Sequence, residues 1–90
     1  MDIVKSYQIV ANRYLGLLNS LGYSPCNMAN TDYFHRSHLS WMLLQVRDDQ
    51  GQSETKKHRW LGFVQGVLCQ QGILSVEEER ELTRCIFKGE

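Results

Sequence analysis

The sequence predicts an all-α fold: a small helical bundle of three main helices plus a short C-terminal helix, in a single domain spanning residues 1–90. Three observations carry this. Apolar residues recur at spacings of three and four over long stretches, turn residues separate those stretches, and start and stop signals stand at their ends. The chain is 42% apolar and 10% aromatic, enough for one modest core.

The first helix is expected from Asp2 to Leu21. Ile3, Tyr7, Val10, Tyr14, Leu17 and Leu21 form a stripe that Val4, Ala11 and Leu18 widen. Lys5, Gln8, Asn12, Arg13 and Asn19 are left for solvent. Asp2 can cap the start. Gly22 stands where a left-handed residue closes a helix, and Pro25 follows.

From Gly22 to Arg36 the chain suits neither helix nor strand. A connection this long in a bundle is often functional or is ordered by its own side chains. Thr31 or Asp32 can cap a short turn through Tyr33 and Phe34. The second helix is expected from Asp32 or Ser37 to Arg47. Leu39, Met42, Leu43 and Val46 form one face, and Trp41 and Leu44 lie off it. A helix apolar nearly all round belongs in the middle of a structure or at an interface.

The third helix is expected from Glu54 to Gln71, capped by Ser53 and stopped by Gly72. Ser75 and Glu78 then form a capping box, with Glu77 and Glu79 at the positive end of the helix dipole. Val76, Leu82, Cys85 and Ile86, with Phe87 as an anchor, give the fourth helix its apolar side.

Two features of the third helix draw interest. On a helical projection Trp60, Leu61, Phe63, Val64, Val67 and Leu68 share a sector about 160° wide. The residues Gly62, Gly66 and Cys69 fall opposite, near Thr55 and His58. Two glycines inside a helix cost about 1 kcal/mol each relative to alanine, and their use is close approach. Internal packing against another helix of the chain is the favoured expectation. Self-association or a distinct partner is the alternative. Lys56, Lys57, His58 and Arg59 open the same helix, where cations oppose the dipole. Neutralisation by Asp48, Asp49 and Glu54 is expected. An anion site is the alternative. Together with Trp41 these residues make the candidate binding set.

Chemistry is otherwise sparse. Cys26, His35 and His38, with Cys69, Cys85 or His58, lack the paired spacing of a metal site. Aromatic residues Tyr7, Tyr14, Trp41, Trp60 and Phe63 are expected in the core. Glu77, Glu78 and Glu81 would need a second acidic motif to act in a hydrolase. The expectation is therefore no enzyme, no metal and no cofactor. Ten acidic residues balance ten basic ones, which argues against a general nucleic-acid coat. No apolar run reaches the ~18–20 residues of a membrane span. The start MDIVKSYQ lacks a signal-peptide pattern, so the three cysteines read as reduced thiols in a cytoplasm.

The block His38-Leu39-Ser40-Trp41-Met42, the block Lys57 to Leu68 (KHRWLGFVQGVL) and Gly72-Ile73-Leu74-Ser75-Val76-Glu77-Glu78 carry a resemblance. They resemble a family of small proteins encoded by tailed bacteriophages, with HLxWM and RWLGFxQGxL blocks, over about residues 37–84. The resemblance implies the cytoplasm of an infected bacterium and no particular activity or site. Small phage accessory proteins often bind a host protein such as a defence nuclease, polymerase or repair enzyme. The leading expectation is thus a non-enzymatic interaction module that inhibits or modulates a host bacterial protein, with a homo-oligomer also open. The alternative is a nucleotide- or nucleic-acid-binding protein using the basic start of the third helix.

Overall fold

The computed structural model describes residues 5–87, save the side chains at 83 and 85–87. Four helices follow in order: α1 (Ser6–Ser20), α2 (Arg36–Asp48), α3 (Glu54–Gln70) and α4 (Val76–Phe87). The fold is all-α, as the periodicity predicts. Asp2, Ile3 and Val4, and the side chains of Cys85, Ile86 and Phe87, lie outside the described residues. Among the described residues α1 starts at Ser6, with Lys5 as its N-cap residue. The Lys5 amide donates to Gln8 Oε1 at 2.9 Å.

Local chemistry sets the helix ends. Gly22 (φ 93°) and Gly72 (φ 78°) adopt the left-handed conformation that a side chain disfavours. After α1, the Gly22 amide meets Asn19 O and the Tyr23 amide meets Leu18 O, both at 3.0 Å. After α3, the Gly72 amide meets Cys69 O at 3.0 Å and the Ile73 amide meets Leu68 O at 2.9 Å. Both are Schellman closures, each followed by an apolar residue that packs on the core. Ser53 Oγ accepts from the Lys56 amide at 3.1 Å, and Ser75 Oγ from the Glu78 amide at 3.4 Å.

The start of α2 differs from expectation. Neither Asp32 nor Ser37 begins it; His35 is the cap, its Nδ1 accepting from the Ser37 amide at 3.1 Å. Asp32 instead accepts from the Phe34 amide at 2.9 Å and closes the preceding turn.

Helix α2 lies between α1 and α3 and packs on both. Tyr7, Val10, Ala11, Tyr14 and Leu18 of α1 meet Leu39, Met42, Leu43 and Val46 of α2. Leu61, Val64, Val67 and Leu68 of α3 complete that core, with Leu74 below them. Burying each valine, leucine or methionine among them contributes about 1.5–3 kcal/mol. Several apolar residues on the expected stripes are exposed instead. Leu21 stands past the last turn of α1, Phe63 lies at the edge of the α3 stripe, and Val76 and Leu82 project from α4. Of the aromatic residues expected in the core, Tyr7 and Tyr14 are buried, but Trp41 and Trp60 are only half-buried.

The long connection is ordered by its own polar groups. The Cys26 amide donates to Ser37 O and the Met28 amide to His38 Nδ1, both at 3.0 Å. Arg36 bridges Tyr23 Oη and Gln71 Oε1, each at 3.1 Å, and Gln71 Nε2 donates to Phe34 O at 3.3 Å. These bonds fix Phe34 beside α3.

Candidate functional site

The glycine side of α3 is open. Both Gly62 and Gly66 are exposed, and a Cβ added at either meets no described atom within 4 Å. Among the described residues no other helix of this chain crosses there, in contrast to the expected internal packing. The reason is the route of the chain: α2 packs against α3, whose buried residues lie away from the glycines, and the described residues of α4 meet α1 more than α3.

The two glycines floor a groove with two lobes. One lobe, about 460 Å³, runs between α3 and Val76, Glu79 and Arg80 of α4, and includes Cys69. The other, about 610 Å³, is walled by Phe34 and Phe63. Their rings lie 5.9 Å apart, tilted by 32°, and Phe34 is 58% exposed.

Beneath the α4 wall lies a buried polar cluster. Glu79 is 2% exposed, and Arg13 of α1 donates through Nη1 to its two oxygens at 2.5 and 2.8 Å. Gln65 Nε2 donates to Tyr14 Oη at 2.9 Å. Burial, then the Glu79 charge, raises the Tyr14 pKa well above that of a free phenol. The same two causes, in the same order, raise that of Cys69, so the groove presents a protonated thiol rather than an activated nucleophile. Sequence reasoning left Arg13 for solvent and assigned Glu79 to the helix dipole. No local pattern joins residues 66 positions apart.

The basic start of α3 does not converge on one point. Lys57 is only 4% exposed, its Nζ 5.2 Å from the centre of the Tyr7 ring. His58 meets the same ring edge-on at 5.4 Å. Lys56 Nζ lies 5.1 Å from the Trp60 ring centre, while Arg59 is exposed. Of the three acids expected to neutralise them, Glu54 faces Lys5 at 3.6 Å and Asp49 accepts from the Gly51 amide at 2.8 Å. Asp48 pairs with Arg47, which holds its carboxyl below the usual range, and Lys57 adds to that effect. Trp41 is not at the groove. It stacks on His38 at 5.5 Å and faces Trp60 at 6.1 Å, in a separate cavity.

Among the described residues no three His, Cys, Asp or Glu side chains gather to hold a metal ion. His35 and His38 each use Nδ1 to accept a backbone amide. No described helix is long and apolar enough to cross a membrane. The chain matches no protein-family model, no curated protein and no solved structure.

Proposed function

We propose that this chain is a non-catalytic protein-interaction module whose contact surface is the glycine-floored groove of α3. The observation that carries the reading is the conjunction at one place. Two interior glycines that no described group approaches lie between the exposed apolar side chains of Phe34, Phe63 and Val76. Nothing described inside the chain compensates the helix-propensity cost of those glycines. A partner helix would, because bare backbone permits close approach and the two phenylalanines supply anchors.

The narrower reading is a phage accessory protein that inhibits or modulates a host bacterial protein in the cytoplasm. It is supported by the likeness of residues 38–42 and 57–68 to the phage family. The nucleotide-binding alternative through the basic start of α3 has less support, because Lys57 is buried against Tyr7 and the cations diverge.

The test uses the chain and its Gly62→Glu/Gly66→Glu variant as baits in bacterial lysate. Both should be equally helical. A host protein retained stoichiometrically by the first and lost by the second is the expected result. Retention by both, or by neither, sinks the reading. A dimer in light scattering that the variant dissolves would give the groove to a second copy instead.

A further inference from the structure

A second concavity shares no residue with the groove. It lies where the connection after α1 folds over the start of α2, and measures about 380 Å³, within the range of small-ligand pockets. Asn27 and Tyr33 of the connection, His38 and Trp41 of α2, and Trp60 of α3 line it. Its rings are held at fixed angles. Tyr33 meets His38 edge-on at 5.2 Å and 89°, His38 stacks on Trp41 at 5.5 Å and 23°, and Trp41 faces Trp60 at 6.1 Å and 40°. Tyr33 is 57% exposed and both tryptophans are half-buried, so aromatic surface remains uncovered around one cavity.

His38 adds direction. It is 2% exposed, and its Nδ1 accepts the Met28 amide. In the neutral ring the hydrogen therefore sits on Nε2, and no described residue accepts it. Burial keeps the ring neutral by lowering its pKa, against a smaller opposing effect of Asp32. Asn27 uses Oδ1 to accept the Ala29 amide, which leaves its amide nitrogen as a second donor. Aromatic faces with donors suit a flat ring that carries acceptors. Lys56 Nζ, 5.1 Å from the Trp60 ring, already puts a positive charge beside this wall. A cationic ligand is repelled there, and an anionic substituent is attracted.

We propose that this cavity takes the base of a nucleotide, stacked on the Trp41 and Trp60 surfaces, with its phosphate on the Lys56 side. His38 and Asn27 donate to ring acceptors. The site goes beyond the interaction reading and does not depend on it, and of the basic start of α3 it uses Lys56 alone, so the divergence of Lys57, His58 and Arg59 does not bear on it.

Trp41 and Trp60 are the only tryptophans of the chain, so indole fluorescence reports on the cavity directly. Adenosine monophosphate and adenosine are titrated separately. Both should quench saturably, the nucleotide at lower concentration. Tyr33→Ala, at an exposed position that leaves the helical circular dichroism unchanged, should weaken both about tenfold. Lys56→Met should weaken only the nucleotide, and Gly62→Glu/Gly66→Glu should change neither. Absence of saturable quenching by either ligand overturns the proposal, as does unchanged affinity in Tyr33→Ala. Saturable quenching by tetramethylammonium with none by adenosine would make the cavity a cation cage and equally overturn it.

Discussion

The two sides of α3 are built on opposite principles. On one, Leu61, Val64 and Leu68 are at most 5% exposed and meet α1 and α2. On the other, Gly62 and Gly66 carry no side chain, and a Cβ added at either would meet no described atom within 4 Å beyond its own stretch of helix. One side is already filled by the fold, so its residues answer to packing. The other has space around it, so its residues answer to something other than the described core. The same helix therefore separates stability from contact, and substitutions on its two sides should behave differently.

The filled side gives the largest effect. Leu68→Ala removes a fully buried side chain and should cost about 3 kcal/mol in urea unfolding. A loss under a third of that would mean the core is looser than its burial implies. Next is the ion pair behind the groove wall. Arg13→Ala takes the guanidinium from the buried Glu79 and should cost about 2 kcal/mol, reduced from the fully buried case because Arg13 is part-exposed. An unchanged unfolding midpoint would show that Glu79 is satisfied without Arg13.

Glycine substitutions sharpen the contrast between the two sides. Gly62→Ala and Gly66→Ala should each stabilise the isolated protein by up to about 1 kcal/mol, since the new methyl meets only open space. Gly72→Ala should do the reverse by a similar amount, because its φ of 78° disfavours a Cβ. Thermal melts of the three variants decide this. Loss of stability in the first two would place an undescribed contact on the glycine side.

The smallest effect is in pH. The folded-state pKa of His38 is lowered by burial, so the unfolded chain takes up its proton first. The His38 contribution is complete above the ordinary value of about 6.5 and is lost as pH falls through that value towards the folded one. Melts between about pH 7.5 and pH 5 should show falling stability, and His38→Asn should flatten that slope. A slope unchanged in the variant assigns the acid sensitivity to other groups.

The legible part of this fold was its local part. Gly22, Gly72, Ser53 and Ser75 act within three or four residues, so their roles could be read from order alone. The His35 cap was missed because Ser37 and Asp32 are stronger capping types, yet Asp32 is engaged with Phe34. The helical projection placed Gly62 and Gly66 on one side of α3. It did not show that no described group fills the opposing space, because that depends on where α4 docks. Arg13 with Glu79, and Trp41 with Trp60, meet through tertiary packing and left no periodic trace.

The attachment of α4 has a kinetic consequence. Its main described contact is with α1, anchored by the Arg13–Glu79 pair. An element held at few points opens without global unfolding. Amide hydrogen exchange in α4 should then run ahead of that in α2, which is clasped on both sides. Each opening would widen the lobe beside Cys69, so the rate of thiol labelling there measures how often the groove changes shape.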